Sequence, residues 1–528
     1  MYPICSAQES LEVDRRVIRE NGVPSAILIE NAALAVAQYI LRWKPQKIAI
    51  LCGTGNNGAD GIVVARKLAS TGIPNIDVYI VSRSSEVTLK SDEGKTNLKF
   101  LTLYPNIQTS VLHPETGSVP DFSSYDIVVD ALLGTGSGGS PDPFFQRVFD
   151  TINESATRII AVDVPSGICP TTGFNLYARP IRASATVTLG TIKSGLVLYP
   201  AASFVGTLVL ATISFPPVHS QWSLNLIPRL PPRDPGGHKG TFGRALFVAG
   251  CGSYFGAPTL ASMSFLKSGG GYACLATEAS VASVVAGHAP EVVMNTSREW
   301  GSCIGLHDVV VFGPGVGLGT DAVDRLKILV YHCMGPNVGR LRTVILDGDG
   351  ITLFARDYGH TFLRELASKV LVILTPHVGE WKRLFPEHEL ENLSGHHDYV
   401  LATQKIISSI RAIFPVIVAV KGSRTGIISS SGAVRINTSG NSGMATCGSG
   451  DVLSGIVACL AAQRPVDQVF SAVGDAVFLH GVAGDIAATA HGCEDGVVAS
   501  DIMNAVPRAI GMVRNSDDSL LKYFPEII

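Results

Sequence analysis

The chain has 528 residues, and at roughly 100–200 residues per domain this length predicts two to four domains. Hydrophobic residues make up 46% of the sequence and charged residues only 16%, and the formal net charge is −3. This composition excludes a disordered chain, because the apolar content is high and the net charge is small. The near-neutral balance, without a long basic run, argues against a nucleic-acid partner.

The sequence gives no indication of a membrane or secreted protein. Its longest apolar runs, such as 414–420, are well short of the roughly 18 residues that a membrane-spanning helix needs. The N-terminus lacks the basic and apolar segments of a signal peptide. Ten scattered cysteines, with no CxxC pair, predict neither a disulfide framework nor a zinc site. We therefore expect a cytoplasmic protein that binds neither membranes nor nucleic acid.

Short apolar runs alternate with helical segments along the first part of the chain. A helix is predicted over 59–72, and unbroken apolar runs are typical of strands that are covered on both faces. Strand–helix alternation predicts a doubly wound α/β sandwich of the Rossmann type, with a parallel sheet. The predicted strands are 47–52, 75–81, 125–133, 157–164 and 185–190.

A proline-rich stretch, 214–240, is interpreted as a linker, because proline at this density is incompatible with a helix or a central strand. The domain boundary is placed near residue 225. The second half repeats the strand–helix pattern, so a second α/β domain is predicted. Ligands of open α/β sheets bind beyond the carboxyl ends of the strands, which makes the groups that follow each strand the candidate sites. The predicted strands are 244–250, 308–315, 342–350, 370–377 and 414–422.

The first candidate site is the turn GTGNNG at 53–58, between a predicted strand and a helix. Its glycines let backbone N–H groups approach a phosphate. The acidic residue that binds ribose in a standard NAD-dependent dehydrogenase is missing from 80–85, which disfavours that class. Asn56, Asn57, Gly58, Ala59 and Asp60 instead offer amides and a carboxylate. The alternative for Asn57 or Asp60 is a helix cap.

Two further strand ends supply polar groups to the same sheet edge. Asp130 is followed by a second glycine loop at 134–140, and Asp163 and Ser166 follow the next strand. Together with Asn57 they offer carboxylate, amide and hydroxyl oxygens, a set that suits a hard cation. Asp163 is alternatively a proton-transfer group, and each aspartate alone is compatible with a capped turn.

The motifs GNNGADG, DALLGTG and DVPSG, in this order, resemble the N-terminal epimerase domain of the NAD(P)H-hydrate repair enzymes. That family epimerises the hydrated nicotinamide of damaged NAD(P)H. The resemblance implies that Asp163 is catalytic and that K+ lies near Asn57, Asp130 and Ser166. The substrate-binding residues that it implies are Asn56, Asn57, Gly58, Ala59, Asp60, Gly134, Thr135, Gly136, Ser137, Gly138, Gly139, Ser140 and Asp163.

Two positions depart from the family pattern of this first domain. Ala59 stands where the family usually has glycine, and an alanine would be strained there if the position needed a positive φ. The loop 134–140 lacks the basic residue that many relatives have, which bears on how the phosphates of the substrate are held.

The strongest signal in the second half is Gly448-Ser449-Gly450-Asp451, which opens an apolar helix. Backbone N–H groups at the start of this helix would form an anion hole for a transferring phosphoryl group. Asp451 is then placed to accept a hydroxyl proton, the alternative being an acid that merely favours the helix dipole. The motif resembles the ribokinase-like G-x-G-D signature, and no Walker A pattern occurs in the chain.

A strand-end loop that carries charge and hydroxyl groups precedes that helix in the sequence. Lys421, Gly422, Ser423, Arg424 and Thr425 follow a predicted strand and suit a nucleotide, whereas a plain surface turn is the alternative.

Other motifs of the second half are similar, in order and content, to the C-terminal dehydratase domain of the same repair family. They are HKGTFGRALFVAG (238–250), GAPTLASMSFLKSGGGYA (256–273), GPGVG (313–317), DGDG (347–350) and LTPHVGE (374–380). The resemblance implies a ribokinase-like domain that uses ADP or ATP with Mg2+, in a homo-oligomer that is a tetramer through this domain. It implies a hydrated-nicotinamide site lined by Ala257, Gly315, His377 and Asp451, and a nucleotide site formed by Lys421, Gly422, Ser423, Arg424, Thr425 and Gly450.

The chain is therefore predicted to be bifunctional. Residues 1–225 would interconvert R and S NAD(P)H-hydrate, and residues 226–528 would phosphorylate the S form and expel phosphate, with Asp451 as the base. Two alternatives remain open: a ribokinase-like small-molecule kinase fused to a ligand-binding domain, and a first domain that is a non-catalytic scaffold. The sequence leaves open ADP against ATP, NADH-hydrate against NADPH-hydrate, and direct transfer between the sites.

Overall fold

The computed structural model describes residues 2–116, 118–136, 142–386, 399–411, 413 and 415–528. These residues form two compact units. The N-terminal unit contains Tyr2–Ser220 and also Phe524–Ile528, the last residues of the chain, whereas the C-terminal unit contains residues 221–386 and Leu401–Tyr523.

Strands and helices alternate through both units. The strands are β1 (Ile4–Cys5), β2 (Lys47–Cys52), β3 (Asn75–Val81), β4 (Ile107–Leu112), β5 (Ile127–Ala131), β6 (Ile159–Val162), β7 (Ala185–Leu189), β8 (Ile192–Lys193), β9 (Thr207–Ala211), β10 (Trp222–Leu224), β11 (Arg244–Val248), β12 (Tyr272–Ala276), β13 (Val293–Asn295), β14 (Val309–Phe312), β15 (Thr343–Leu346), β16 (Leu371–Leu374), β17 (Val416–Val420), β18 (Gly426–Ser429), β19 (Val434–Ile436) and β20 (Glu526–Ile527). The α-helices are α1 (Ala7–Arg15), α2 (Ser25–Leu41), α3 (Asn56–Ser70), α4 (Asp92–Leu101), α5 (Pro143–Ser155), α6 (Ser194–Val197), α7 (Gly256–Lys267), α8 (Ala279–His288), α9 (Thr320–Met334), α10 (Asp349–Asp357), α11 (Gly359–Ala367), α12 (Val378–Leu384), α13 (Tyr399–Ile410), α14 (Ser449–Ala462), α15 (Val469–His491) and α16 (Ala499–Arg514).

The N-terminal unit is built on a parallel sheet in the order β20-β9-β7-β6-β5-β2-β3-β4. Successive residues of β2 point to opposite faces, so Ile48 and Ile50 join one apolar core and Ala49 and Leu51 join another. Burial on both faces is the reason why this strand is apolar from Ile48 to Cys52. The chain passes outward through β3 and β4 and returns to β5 on the other side of β2, which is a topological switch point.

The C-terminal unit has a mixed sheet in the order β10-β19-β18-β17-β16-β15-β14-β11-β12-β13. Strand β18 runs antiparallel to both of its neighbours, and the other pairs are parallel. The direction of winding reverses between β11 and β14, which is the switch point of this unit. The predicted α/β class, with an N-terminal doubly wound sandwich and a second α/β domain, is confirmed.

The linker interpretation of 214–240 is wrong for Trp222–Leu224, which forms β10 and pairs with β19. This strand lies between Pro217 and Pro228, where no proline interrupts the backbone donors. It is at the edge of the sheet, so it bonds to a single neighbouring strand.

Among the described residues, the segment Val466–His491, which contains α15, is the one helix long and apolar enough to span a membrane by length and composition. The apolar window of this segment is 78% buried inside the protein, where α15 packs against α14 and α16. An apolar run in the sequence does not reveal this helix, because Asp475, His480 and Asp485 interrupt the run. The helix is a core element of the C-terminal unit.

Candidate active sites

A cavity of about 700 Å³ lies at the switch point of the N-terminal sheet. This volume is typical of small-molecule sites, which span roughly 300–1,000 Å³. The cavity is bordered by the first turn of α3 and by the loops that follow β5 and β6. Predicted site residues that line it are Asn56, Asn57, Ala59, Asp60, Gly134, Thr135, Gly136 and Asp163. Ser137, Gly138, Gly139 and Ser140 lie outside the described residues.

Close backbone packing requires a glycine at position 58, in the first turn of α3. A Cβ atom on Gly58 would lie 1.7 Å from the carbonyl oxygen of Gly53. Helix α3 begins at Asn56, with Gly55 at the N-cap and no side chain capping it. Ala59 lies inside α3 and is absent from the described non-glycine residues with positive φ, so the strain anticipated for this alanine does not arise.

Three of the predicted residues are buried polar groups: Asp130 and Ser166, which are hydrogen-bonded to each other, and Asn57, which lines the cavity. Asp130 accepts hydrogen bonds from the backbone N and the Oγ of Ser166, at 2.8 and 2.6 Å. Burial raises the pKa of Asp130 to about 6, although these bonds and one from Leu132 lower it. The side chain of Asn57 is buried, and neither atom of its amide has a hydrogen-bond partner. Such orphaned groups are costly and call for a ligand.

Asp163 lines the cavity and forms an ion pair with the buried side chain of Lys193. Its φ of 68° is unusual for a residue other than glycine, and such strain concentrates at functional sites. Its Oδ1 lies 2.5 Å from the Nζ of Lys193, and its Oδ2 accepts a bond of 2.5 Å from Thr135. Burial raises the pKa of Asp163, but the ammonium of Lys193 and the hydrogen bonds from Lys193, Thr135 and Leu189 together bring it below the ordinary value.

Two other carboxyl groups of the cavity are shifted in the opposite direction. The pKa of Asp60 lies well above its ordinary value because of burial, with the charges of Asp163 and Asp14 adding to the effect and Lys193 opposing it. The pKa of Asp14 is also raised, mainly by burial. The cavity therefore combines a carboxyl group whose pKa is lowered with carboxyl groups whose pKa values are raised, which is the pattern of an acid–base site.

The second site lies where α14 begins, in the C-terminal unit. Gly448 has a φ of 89°, a left-handed conformation that glycine adopts at little cost, and it forms the N-cap of this helix. Asp451 follows in the first turn of the helix. Burial raises the pKa of Asp451 to about 7, the charges of Asp347, Asp349 and Glu380 add to the effect, and Lys421 opposes it.

Lys421 is held by carboxylates close to the start of α14. Its Nζ donates to Asp347 Oδ1 at 2.8 Å and lies 3.7 Å from Glu380 Oε2. A Cβ atom on Gly450 would lie 3.2 Å from this ammonium, so the lysine and the glycine turn are neighbours. Burial lowers the pKa of Lys421, but the adjacent carboxylates raise it above its ordinary value. The ammonium stays charged beside Asp451.

The remaining residues of the predicted nucleotide loop point elsewhere. Arg424 donates to the carbonyl oxygen of Thr438 at 3.1 Å, and Thr425 donates to that of Gly422 at 3.3 Å. Gly422 and Ser423 are exposed.

Besides Asp451, the predicted hydrated-nicotinamide residues are Ala257 in the first turn of α7, Gly315 after β14 and His377 at the N-cap of α12. A Cβ atom on Gly315, whose φ is 59°, would lie 3.0 Å from the Cβ of Ala257, so these two residues are in contact. His377 is the N-cap of α12, and its Nδ1 accepts from the backbone N of Gly379 at 2.9 Å. Its Nε2 lies 3.1 Å from Glu380, the residue that also approaches Lys421. The glutamate thereby links His377 to the surroundings of Asp451.

The charged partners of both predicted catalytic aspartates, Lys193 and Lys421 with Asp347, have no distinctive signal of this pairing in the sequence. Lys193 was not singled out, although it follows the predicted strand 185–190 closely. Asp347 was quoted within DGDG without a role, although an aspartate directly after a buried strand was the signal used for Asp130 and Asp163.

Comparison with known proteins assigns both halves of the chain. A family model described as YjeF-related protein N-terminus matches residues 25–195, and one described as NAD(P)H-hydrate dehydratase matches residues 245–508. The bifunctional NAD(P)H-hydrate repair enzyme Nnr of Thermofilum pendens is 36% identical, over 97% of this chain and 97% of its own. The enzyme of the same name from Moorella thermoacetica is 32% identical, over 96% of each chain.

Among solved structures, the ADP/ATP-dependent NAD(P)H-hydrate dehydratase of Bacillus subtilis, co-crystallised with ATP/Mg2+, is 25% identical. The match covers 54% of this chain and 94% of that one, with a TM-score of 0.45. The sequence relatives match over nearly their full length, with both halves in the same chain. The chain belongs to the family of bifunctional NAD(P)H-hydrate repair enzymes.

Proposed function

We propose that the protein repairs damaged nicotinamide cofactors in two steps. The N-terminal site epimerises R and S NAD(P)H-hydrate, and the C-terminal site dehydrates the S form to NAD(P)H at the expense of ADP or ATP. The observation that carries this proposal is that each unit combines its family motif with an aspartate whose pKa is shifted for proton transfer. These aspartates are Asp163, whose pKa is lowered, and Asp451, whose pKa is raised to about 7.

Epimerisation inverts the carbon that carries the added hydroxyl group, which is bonded to the ring nitrogen. When an acid protonates this hydroxyl, the nitrogen lone pair expels it as water and leaves a planar cation. Water then adds to the opposite face of the cation while a base removes its proton, which restores the hydroxyl group with inverted configuration. Asp60, whose pKa is raised, is the proposed acid, and Asp163, whose pKa is lowered, is the proposed base.

We propose that K+ binds beside this cavity through the side chains of Asn57, Asp130 and Ser166. The orphaned Asn57 amide and the fully buried Asp130 carboxylate support this assignment. Oxygen ligands of this kind suit a hard cation, and a cation there would favour the ionised form of Asp130. The ion would fix the loops after β5 and β6 and the start of α3 relative to the cavity.

Dehydration in the C-terminal site proceeds through a phosphate ester. Asp451 removes the proton of the S-hydrate hydroxyl, whose oxygen attacks the terminal phosphorus of the nucleotide and displaces AMP or ADP. The ring nitrogen then expels phosphate, and the neighbouring carbon loses a proton to restore the reduced nicotinamide. The backbone N–H groups of Gly448, Ser449 and Gly450, together with Lys421, stabilise the charge on the transferring group.

We propose that Mg2+ enters this site with the nucleotide. No cluster of three or more potential metal-ligating side chains occurs among the described residues. A protein that binds Mg2+ through one or two carboxylates and the substrate phosphates needs no such cluster. Asp349, whose charge acts on Asp451, is the candidate carboxylate. The loop Lys421–Thr425 and Gly450 would hold the nucleotide, and Ala257, Gly315 and His377 the hydrated ring.

Two properties of the whole protein are also proposed. A cytoplasmic location is supported by the ten cysteines, which are all free thiols in the structure.

A homo-oligomer, a tetramer through the C-terminal unit, is implied by the family resemblance, and light scattering of the purified protein will test it. The exposed side chain of Leu306 in that unit provides apolar surface for such an assembly.

One assay tests the proposed function. A mixture of R and S hydrate is incubated with ADP or ATP, and the absorbance of reduced nicotinamide is followed for the wild type, Asp163→Ala and Asp451→Ala. We expect Asp163→Ala to restore only the S fraction at the enzymatic rate and Asp451→Ala to restore neither. A stable phosphorylated product without reduced nicotinamide would instead identify a small-molecule kinase. Normal recovery in Asp451→Ala would reject the dehydratase assignment.

A further inference from the structure

Asp485, in the middle of α15, accepts hydrogen bonds from three different donors. Its Oδ2 accepts from the backbone N of Gly440 at 3.1 Å and from the hydroxyl of Tyr523 at 2.6 Å. Its Oδ1 accepts from the side-chain amide of Asn441 at 2.8 Å. None of these contacts belongs to the regular structure of the helix, so the carboxylate joins α15 to two other parts of the C-terminal unit.

The first of these parts is the glycine-rich loop that connects β19 to the start of α14, which we call the 437–448 loop. Gly440 in this loop has a φ of 103°, a conformation available to glycine. Asn441 accepts from the backbone N of Gly443 at 3.0 Å and so starts the short turn Ser442–Met444. The loop ends at Gly448, so its conformation sets the approach to the anion hole of Asp451.

The second part is the segment that ends at Tyr523, the last residue of the C-terminal unit. Besides the Tyr523 hydroxyl, which bonds to Asp485, its carbonyl oxygen accepts from the hydroxyl of Thr438 at 2.8 Å. The carbonyl oxygen of Thr438 in turn accepts from Arg424, in the predicted nucleotide loop. The ring of Tyr523 packs edge-on against Phe478 of α15, with ring centres 5.5 Å apart. Tyr523 is therefore braced against α15 and against the 437–448 loop.

We propose that Asp485 and Tyr523 are positioning residues that set the affinity of the C-terminal site for the nucleotide phosphates. This inference rests on the proposed function, because it takes the 437–448 loop and the loop Lys421–Thr425 to surround the nucleotide. Neither residue reaches the reacting atoms. Both act through the backbone of Gly440 and Asn441 and through Thr438 and Arg424.

The physical reason is the cost of ordering the 437–448 loop. A loop rich in glycine loses much conformational freedom when it becomes fixed, and a ligand that must order it binds more weakly. Hydrogen bonds to a carboxylate are roughly twice as strong as those between neutral groups, and Asp485 makes three to this network. The loop is thus fixed before the nucleotide arrives. Asp451 itself lies in α14, so its chemistry with bound substrates does not require Asp485.

The test compares Asp485→Asn, Tyr523→Phe and the double variant with the wild type, in the full-length chain. We expect the KM for ADP or ATP to rise about tenfold in Asp485→Asn. The asparagine amide carries an N–H donor in place of a carboxylate oxygen, and it faces the three donors of Gly440, Asn441 and Tyr523, so at least one hydrogen bond is lost. The rise should be smaller in Tyr523→Phe, which loses one hydroxyl. The kcat and the KM for S-hydrate should change less than about twofold. Because both changes remove the same bond, the double variant should resemble Asp485→Asn alone.

The matched control is Tyr331→Phe, which removes a hydroxyl from a tyrosine of the same unit that is 84% exposed. Thermal unfolding of every variant is recorded, and Tyr523→Phe remains informative if Asp485→Asn does not fold. A nucleotide KM that stays at the wild-type value in Tyr523→Phe and Asp485→Asn would overturn the inference. So would a fall in kcat with an unchanged KM, which a merely structural role predicts. A wild type that neither binds nor consumes ADP or ATP would instead reject the proposed function.

Discussion

The Nζ atom of Lys193 lies 2.5 Å from Oδ1 of Asp163, and the exposed fractions of the two side chains are 2% and 11%. Lys193 also donates to the carbonyl oxygen of Leu189 at 2.9 Å, so the ammonium is satisfied without water. A buried ion pair of this kind seldom adds stability over an apolar pair of the same shape. Its position in the cavity at the switch point of the N-terminal sheet, together with the positive φ of Asp163, indicates that the pair serves the reaction.

Lys193→Met should move the acid limb of the epimerisation pH profile to higher pH. In the wild type the lysine lowers the pKa of Asp163, so the base is ionised throughout the neutral range. Without the cation, burial is opposed only by the hydrogen bonds from Thr135 and Leu189, so the pKa of Asp163 rises and its ionised fraction falls. The initial rate of R to S conversion is measured against pH. Lys193→Arg, which keeps the charge, is the control, and identical profiles for the wild type and Lys193→Met would contradict the assignment.

The dehydration step should lose activity below about pH 7, because burial and the neighbouring carboxylates raise the pKa of Asp451 to about 7. Two variants should shift the pH at which half of the activity is lost, and in opposite directions. Asp347→Asn removes a negative charge and should lower it, whereas Lys421→Met removes a positive charge and should raise it. The measurement is kcat against pH at saturating nucleotide and S-hydrate. If the midpoint of the pH profile shifted in the same direction in both variants, a group other than Asp451 would control the profile.

Asn57→Leu should abolish the response of the N-terminal unit to K+ without destabilising the protein in its absence. The Asn57 amide is buried without a hydrogen-bond partner, so its replacement by an apolar side chain of similar size removes a cost of about 1–3 kcal/mol. Unfolding temperature and epimerisation rate are measured in potassium and in tetramethylammonium chloride at equal ionic strength. We expect K+ to raise both quantities in the wild type only. An equal K+ effect in Asn57→Leu would place the ion elsewhere.

Gly58→Ala should abolish epimerisation, whereas Gly55→Ala should be tolerated. A Cβ on Gly58 would meet the carbonyl oxygen of Gly53 at 1.7 Å, and two backbone segments cannot separate without moving the start of α3. Gly55 has a φ of −92° and no atom within 4 Å of a Cβ position. Epimerisation rate and the thermal unfolding of both variants are measured. Wild-type activity in Gly58→Ala would show that the turn does not need this close packing.

The sequence alone indicated the strands and the groups that follow them. Unbroken apolar runs such as Lys47–Cys52 are buried on both faces of a parallel sheet, and this property can be read without knowing the neighbours. Asp130, Asp163 and the turn before Asp451 could be found because polar groups at strand ends have a local sequence pattern. The family motifs then connected these groups with a reaction.

Tertiary structure decided which of these groups meet. Lys193 reaches Asp163 because β8 pairs with β1 and follows β7, which pairs with β6, and no spacing in the sequence encodes that arrangement. Lys421 turns toward Asp347 because β15 and β17 flank β16. The last strand, β20, joins β9 in the N-terminal unit although it follows the whole C-terminal unit. Apolar periodicity specifies which face of an element is buried, but strand order and long-range pairing specify which side chains become neighbours, and those neighbours set the pKa of each aspartate.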